Sequence, residues 1–353
     1  GARPQIIKAA ALNRAIQQYF SDQIHEIIVH TGQHYDDNMS EVFFGEMNIP
    51  KPDYNLGVGS GSHGKQTARM IEGIEELLLK EKPDYIVLYG DTNSTLAGAV
   101  AASKLHVPIV HIEAGLRSFN RKMPEEINRI TCDHLSTLLF SPTKTGFDNL
   151  VREGFDKAAK SPFTPDNPGI FHCGDVMYDN SLFFAEIAAQ KSNVIERYSI
   201  PKENFILSTV HRDHNTDTPE RLNAIFEGFL TIAEQTAIVL PLHPRTKKML
   251  QQAQHLQLYQ QLENHKGIFL IPPVSFFDVI QLEQHAQMII TDSGGVQKEA
   301  YFFQKPCIIL RPQTEWVEIL ETGMAVLADA EKDKILNAYE HFLKYRNAKF
   351  PEI

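Results

Sequence analysis

The chain has 353 residues, of which 42% are hydrophobic and 22% are charged, so its length suits two domains of roughly 150 residues with sizeable cores. Its 34 lysines and arginines against 44 aspartates and glutamates give a formal net charge of −10, which argues against a surface that binds nucleic acid or anionic lipid. No apolar run reaches the roughly 20 residues that span a bilayer, and the first residues lack the apolar core of a signal peptide. Cys132, Cys173 and Cys307 are too far apart in sequence to indicate a disulfide framework or a thiolate zinc site. These features predict a cytoplasmic enzyme or ligand-binding protein.

Short apolar strands alternate with amphipathic helices along the first half of the chain. The predicted strands are 27–30, 85–89, 107–111 and 138–140, and the predicted helices are 65–81, 94–105, 125–136 and 143–153. Because the strands are continuous apolar runs, we expect a parallel sheet that helices cover on both faces.

A polar segment rich in proline and glycine, residues 160–169, separates this half from a second one with the same pattern. We therefore place a first domain at 1–168 and a second at 169–335, followed by a C-terminal helix in 336–353 that returns toward the first domain. The predicted strands of the second half are 205–210, 237–242, 268–271, 287–291 and 307–310. The predicted fold class is α/β, with two Rossmann-like, doubly wound parallel-sheet domains and a ligand in the interdomain cleft.

One glycine-rich segment, residues 59–66, nearly matches the P-loop of nucleotide hydrolases. Gln66 stands where that motif requires a magnesium-binding hydroxyl, and no apolar strand precedes the glycines. We interpret the segment as a loop before a helix.

Three carboxylates of the first half lie at strand ends or in the loops beyond them. Asp91 follows the strand 85–89, Glu113 follows the next strand, and Glu125 comes directly after Pro124 at a helix start. Asp91 and Glu125 are also in positions where an acid simply stabilises a helix N-terminus. Carboxylates that converge on one site are the groups needed to remove and return a proton.

Two strands of the second half end in polar motifs. Ser293-Gly294-Gly295 lies between a strand and a helix, where free backbone N–H groups and the helix dipole favour an anion. Glu299, one turn later, is placed to accept hydrogen bonds from ribose hydroxyls. His211 and Arg212 follow another strand, and together with His214 they are weak evidence for a metal. The pattern predicts a site for a nucleotide phosphate.

Taken in order, these motifs resemble those of the non-hydrolysing UDP-N-acetylglucosamine 2-epimerases. The matching segments are GARPQIIK at residues 1–8, TGQH at 31–34, GDT at 90–92, EAGLR at 113–117, PEEINR at 124–129, the His211-Arg212 pair and DSGGVQKE at 292–299. The resemblance covers almost the whole chain. It implies a glycosyltransferase-B type fold, an isomerase that acts on a UDP-sugar, and a homodimer. It implies neither a metal ion nor a nicotinamide cofactor, and neither nucleic acid nor membrane as a partner.

The implied reaction interconverts UDP-N-acetylglucosamine and UDP-N-acetylmannosamine for surface polysaccharide synthesis. UDP leaves by anti elimination, which gives a 2-acetamidoglucal, and adds back after the C2 configuration is reversed. By the resemblance, the catalytic residues are Asp91, Glu113, Glu125 and His211. Binding of UDP or substrate is implied for Arg3, Lys8, Arg212, Phe276, Ser293, Gly294, Gly295 and Glu299. A second, regulatory substrate site would be lined by Gln33, His34 and His243, although His243 before Pro244 is equally typical of a helix cap.

The chain departs from the family pattern at two places. Trp316 stands where many members have an arginine near the nucleotide, and 272–278 lacks the usual uracil-stacking pattern, so Phe276 or Phe277 would take that part. The tryptophan version is similar to the subgroup that acts on UDP-2,3-diacetamido-2,3-dideoxy-glucuronate, which is therefore an alternative substrate. Relative to the family, we also expect a strand before Gly1 and a further segment after Ile353.

Three other functions remain open. A hydrolysing epimerase would use nearly the same site but let water capture the intermediate. A retaining glycosyltransferase of this fold would need two glutamates eight positions apart in the second domain, and Glu299 has no such partner near Lys305. A non-catalytic UDP-sugar sensor would have no reason to place three carboxylates near a diphosphate.

Overall fold

The computed structural model describes residues 3–32, 51–202, 204–314, 316–344 and 350–351. The chain divides into two compact units, Gly1–Asn180 and Ser181–Ile353. The sequence pattern places the boundary at 168, whereas the strand that follows this position hydrogen-bonds to the preceding strand of the first unit and so belongs to its sheet.

The first unit consists of alternating helices and parallel strands. In chain order these are α1 (Arg3–Ala15), a π-helical turn (Ile16–Phe20), β1 (Val29–His30), β2 (Tyr54–Asn55), α2 (His63–Glu81), β3 (Ile86–Tyr89), α3 (Asn93–Lys104), β4 (Ile109–Ile112), α4 (Pro124–Leu135), β5 (Leu138–Ser141), α5 (Lys144–Arg152) and β6 (Gly169–His172). Strands β3, β4, β5 and β6 form a parallel sheet in that order, and β1 pairs with β2 separately. The predicted helices and strands of this half are confirmed to within a few residues, whereas α1, the π-helical turn, β2 and β6 were not predicted.

Helix α3 packs closely against both α2 and α4 because its buried residues have small side chains. Ala97, Ala99, Ala101 and Ala102 have almost no exposed surface, and they belong to a core with Met70 and other apolar residues of α2. Short side chains let helix and sheet approach each other without cavities. The packing holds the start of α3 at the carboxyl end of β3.

The second unit is a larger doubly wound sheet. After α6 (Val176–Lys191), which includes the boundary between the units, its elements are α7 (Val194–Arg197), β7 (Phe205–Thr209), α8 (Asp213–Thr216), α9 (Pro219–Ala233), β8 (Ala237–Pro241), α10 (Pro244–Leu250), α11 (Leu256–Asn264), β9 (Ile268–Ile271), α12 (Phe276–His285), β10 (Met288–Thr291), α13 (Gly294–Phe302), β11 (Cys307–Ile309), α14 (Val317–Glu321), β12 (Ala325–Leu327) and α15 (Lys332–Lys344). All five predicted strands are confirmed, and β12 is an addition. Helix α15 packs against α9 within this unit, and the return of the final residues toward the first unit stays a prediction.

The strand order of the second unit creates a switch point. The six parallel strands run β12-β11-β10-β7-β8-β9, so the chain winds outward from β7 in one direction and then from β10 in the other. Ligands of open α/β sheets bind outside the carboxyl ends of the strands at such a point. We therefore expect the residues that follow β7 and β10 to bind the ligand. The predicted fold class, α/β with parallel sheets in two domains, is confirmed.

Across the described part of the chain, every helix is too short or too polar to cross a bilayer.

The turn after β4 requires a left-handed backbone. Glu113 has a φ of +76°, and Gly115 has a φ of +82°. The backbone N–H groups of Glu113 and Ala114 both donate to the carbonyl of Phe140, at 3.1 and 3.0 Å. A Cβ at position 115 would lie 2.2 Å from the carbonyl oxygen of Gly146. The turn thus holds Glu113 in a conformation that costs a non-glycine residue about 1–2 kcal/mol, which is typical of functional sites.

We expect Gly115→Ala to destabilise the protein much more than Gly174→Ala. Both glycines have a φ of +82°, but a Cβ at Gly174 would meet no atom within 4 Å. Both substitutions carry the left-handed strain of about 1–2 kcal/mol, and only the first adds a backbone collision. Chemical denaturation of both variants measures the free energy of unfolding. Equal losses would show that the contact with Gly146 does not exclude a side chain.

Candidate active site

Asp91 lies between the end of β3 and the start of α3, and it is held by α4. Arg129 donates to its carboxylate, and Asn128 Nδ2 donates to its carbonyl oxygen at 2.9 Å. Burial raises the pKa of Asp91, the Arg129 cation opposes that effect, and the negative charges of Glu113 and Glu125 raise the pKa further. The first unit therefore brings the three predicted carboxylates into electrostatic contact.

Glu113 forms an ion pair with Lys8 of α1, and the side chains are only 13% and 6% exposed. A Cβ at Gly90 would lie 3.2 Å from Glu113 Oε2 and 3.4 Å from Lys8 Nζ. Gly90, with a φ of +64°, thus leaves room for this pair directly beside Asp91. Lys8 thus contacts Glu113, a predicted catalytic residue, whereas the resemblance implies that Lys8 binds the UDP group.

Glu125 is exposed in the first turn of α4, and its neighbour Glu126 is buried. Glu126 accepts hydrogen bonds from the backbone N–H groups of Ser118 and Phe119 at 2.8 and 2.9 Å, and from Arg129 at 3.0 Å. Glu126 and Arg129 were not predicted as site residues. Their spacing of three residues on one helix was the available signal, because it places both on one face.

In the second unit, Asp292 joins the carboxyl ends of β7 and β10. Its buried carboxylate accepts the backbone N–H groups of His211 at 3.0 Å and Arg212 at 2.9 Å, and Asn215 Nδ2 at 3.2 Å. The Nδ1 atom of His211 lies 3.3 Å from the same carboxylate. Burial lowers the pKa of His211 although Asp292 raises it. Asp292 therefore orients His211 at the switch point, a role that was not predicted for it.

The segment Ser293-Gly294-Gly295 begins α13 next to this histidine. Within the described residues, the Ser293 side chain makes no capping hydrogen bond, and a Cβ at Gly295 would meet nothing within 4 Å. The first N–H groups of a helix lack intrahelical acceptors, and the helix dipole adds positive potential there. This end of α13 suits a phosphate.

Glu299 of α13 faces Glu283, a fully buried glutamate of α12. Burial raises the pKa of Glu283 well above its ordinary value, and the charge of Glu299 raises it further. Of the two acids, Glu283 is the one whose charged form is disfavoured by burial, whereas Glu299 is partly exposed. Glu283 was not predicted as a site residue; its signal in the sequence is an acid within an apolar stretch of α12.

Trp316 is buried against the start of α13. Its Nε1 donates to the carbonyl oxygen of Gly294 at 3.1 Å, and the ammonium of Lys298 lies 3.8 Å from its ring centroid. Phe276, the first residue of α12, is half-buried and packs edge-on against Phe184 at 5.3 Å. The departure from the family pattern at Trp316 thus adjoins the anion-binding end of α13.

His243 caps α10, where its Nδ1 accepts from the N–H of Arg245 at 3.2 Å. Its ring centroid also lies 5.6 Å from that of His211, so this member of the predicted regulatory set is close to a catalytic candidate. Gln33 and His34, the other two members of that set, lie outside the described residues, as does the side chain of Arg3.

Comparison with known proteins gives a consistent result. A family model described as UDP-N-acetylglucosamine 2-epimerase matches residues 17–351. The UDP-2,3-diacetamido-2,3-dideoxy-D-glucuronate 2-epimerase of Pseudomonas aeruginosa is 51% identical over 340 residues, 96% of this chain and 89% of that protein. A UDP-N-acetylglucosamine 2-epimerase homolog of Methanococcus maripaludis is 49% identical over 97% of this chain and 90% of its own. The crystal structure of Methanocaldococcus jannaschii UDP-GlcNAc 2-epimerase in complex with UDP-GlcNAc and UDP has a TM-score of 0.81 and 44% identity, covering 99% of this chain and 93% of that one.

We expect Arg129→Gln to raise the pKa of Asp91, because the Arg129 cation lowers that pKa in the folded protein. Arg129→Lys is the matched control, since it retains the positive charge and should leave the pKa closer to that of the wild type. Carbon-13 NMR titration of the carboxyl groups measures both. A lower pKa of Asp91 in Arg129→Gln would contradict the electrostatic account of the site.

Proposed function

The chain belongs to the UDP-N-acetylglucosamine 2-epimerase family, and on that basis we propose that it interconverts UDP-N-acetylglucosamine and UDP-N-acetylmannosamine without hydrolysis. The protein is then an isomerase of nucleotide sugars that serves polysaccharide synthesis. The observation that carries the proposal is the proximity of Asp91 to the Lys8–Glu113 ion pair, since a Cβ at Gly90, the residue before Asp91, would lie 3.2 Å from Glu113 Oε2. The negative charges of Glu113 and Glu125 both raise the pKa of Asp91. Proton removal and return at one carbon need such a set of acids.

The proposed reaction has two balanced halves. A carboxylate removes the C2 proton, the electron pair forms the C1–C2 double bond, and the C1–O bond to UDP breaks, which gives 2-acetamidoglucal and UDP. In the second half, a phosphate oxygen of UDP forms the C1–O bond again, and a carboxylic acid delivers a proton to the opposite face of C2. No external oxidant or reductant is needed.

The first unit supplies groups in different electrostatic settings for these proton transfers. Asp91 has a raised pKa and is therefore protonated at a higher pH than an ordinary aspartate. Glu113 is salt-bridged to Lys8, and Glu125 is exposed at the start of α4. Different environments for neighbouring carboxyl groups favour separate acid and base roles.

The second unit supplies the groups that would hold UDP. The N-terminus of α13 would bind the diphosphate together with His211, which Asp292 orients, and Arg212 is exposed beside it. Glu299 would accept hydrogen bonds from the ribose hydroxyls. Stabilising the departing diphosphate lowers the barrier to elimination.

The second candidate substrate is UDP-2,3-diacetamido-2,3-dideoxy-glucuronate. The 51% identity to the Pseudomonas enzyme of that name supports it, as does Trp316, which replaces the usual arginine beside the start of α13. We further propose that the protein works in the cytoplasm as a homodimer.

The reaction is tested by proton NMR in D2O with each of the two UDP-sugars. Equilibration to the manno epimer with deuterium at C2 is the expected result, and the faster substrate identifies the natural one. Accumulation of UDP and free N-acetylmannosamine would indicate a hydrolysing enzyme. Binding of UDP-sugar without loss of the C2 proton from either substrate would favour a sensor.

Isosteric substitutions test the acid and base roles. Asp91→Asn, Glu113→Gln and Glu125→Gln should each reduce the rate of C2 deuterium exchange by roughly 10²–10⁴-fold, because general acid–base catalysis contributes that much. Glu76→Gln, on the exposed face of α2, should react like the wild type. Calorimetric titration with UDP should show unchanged affinity in all four variants. A triple variant that exchanges at the wild-type rate would exclude these carboxylates from the chemistry.

A further inference from the structure

His111 lies in the middle of the first sheet and makes two hydrogen bonds. It is the third residue of β4, and its side chain is fully buried. Its Nδ1 is 2.7 Å from Asp133 Oδ1, and its Nε2 is 2.9 Å from the carbonyl oxygen of Gly90. A buried polar side chain needs such partners because an unmade hydrogen bond is costly in the core.

The partners determine where the protons are. The carbonyl oxygen of Gly90 only accepts, so Nε2 carries a proton. The Oδ2 atom of Asp133 accepts from the N–H of Gly115 at 3.1 Å and lies 2.7 Å from Arg117 Nη1. The buried Arg117 cation stabilises Asp133 as a carboxylate, and Oδ1 then accepts a proton donated by Nδ1. Both ring nitrogens are donors, which makes His111 an imidazolium.

The surrounding charges agree with this assignment. Burial by itself lowers the pKa of His111, but Cys132 and Asp133, both on α4, raise it well above the ordinary value. Burial raises the pKa of Asp133, and the contacts with His111 and Arg117 more than reverse that effect. Arg117 also binds Glu153 through Nε at 2.6 Å. Arg117 thus contacts both Asp133 and Glu153, and Asp133 contacts both Arg117 and His111.

The two hydrogen bonds of His111 connect the turns that carry the catalytic candidates. Gly90 directly precedes Asp91, and Gly115 comes two residues after Glu113. The ring therefore holds the first turn through its Nε2, and the second through Asp133 and the N–H of Gly115.

We propose that His111 is a positioning residue, a permanently protonated imidazolium that fixes the Asp91 turn relative to the Glu113 turn. It does not contact the substrate. Its effect on catalysis rests on the proposed function, whereas its charge state does not.

The charge state is tested on the wild-type protein by NMR with ¹⁵N-labelled histidine. His111 should show a directly bonded proton on both ring nitrogens throughout the pH range in which the protein stays folded, and this signal should be missing in His111→Gln. His255 is the internal control, because it is buried too, its Nδ1 is 2.8 Å from Asn223 Oδ1, and its Nε2 is 3.1 Å from the amide nitrogen of Gln254. Burial lowers the pKa of His255, so it should carry one proton. A single ring proton on His111 would overturn the proposal.

The positioning role is tested by kinetics. In His111→Gln, kcat for C2 exchange should fall on the order of 10²-fold, since small misplacements of catalytic groups cost that much, while KM and the affinity for UDP stay close to wild type. Asp133→Asn should lose less, because an asparagine oxygen still accepts from Gly115 and its amide donates to a neutral ring, whose Nε2–H still binds Gly90. His255→Gln should leave kcat unchanged.

The outcomes separate the two proposals. A folded His111→Gln variant with wild-type kcat would overturn the positioning role. If the wild type failed to exchange the C2 proton, the proposed function would fall while the NMR result stood. If His111→Gln failed to fold, Asp133→Asn would take its place: a wild-type kcat in that variant would overturn the positioning role, and a singly protonated His111 in the wild type would overturn the charge state.

Discussion

Parallel strand pairing is the constraint on which both halves of this protein depend. When all strands of a sheet run in the same direction, their carboxyl ends lie along one edge, and the loops beyond them become neighbours. In the first unit, that edge brings Asp91 and Glu113 together from β3 and β4. In the second unit, the outward winding from β7 and β10 leaves a switch point that collects His211, Asp292 and the start of α13. Residues separated by about 80 positions in sequence become neighbours there because β7 pairs with β10.

Buried carboxylates that accept backbone N–H groups recur in both units. Asp133 accepts from Gly115, Glu126 accepts from Ser118 and Phe119, and Asp292 accepts from His211 and Arg212. Hydrogen bonds to ionised acceptors are stronger than neutral ones, and each of these carboxylates lies beneath a loop of the candidate site. The acids that shape the loops are thus different residues from the acids proposed to transfer protons.

Because other acids hold the loops, the carboxylates proposed to transfer protons remain accessible to solvent or substrate. Asp91, Glu113 and Glu125 remain partly or fully exposed, whereas Asp133 and Asp292 have no exposed surface. Arg129 links a loop-binding carboxylate to a proposed catalytic one, since it binds both Glu126 and Asp91. In the second unit likewise, Glu283 is fully buried, whereas Glu299 remains partly exposed.

The sequence by itself determined the fold class, most of the strands, four helices of the first unit, the family and the list of candidate residues. Those features depend on local patterns: continuous apolar runs, glycines that follow strands, and prolines at helix starts. Only the tertiary structure revealed that Lys8 pairs with Glu113, that Trp316 contacts Gly294, and that His111 joins two turns. These contacts link positions far apart along the chain, so no local pattern contains them. The same reason accounts for the missed strand β6 and the domain boundary, because a short strand is stabilised by its neighbour, β5, rather than by its own residues. The proposed charge on His111 likewise depends on the tertiary structure, since it requires that folding place an acceptor at each ring nitrogen.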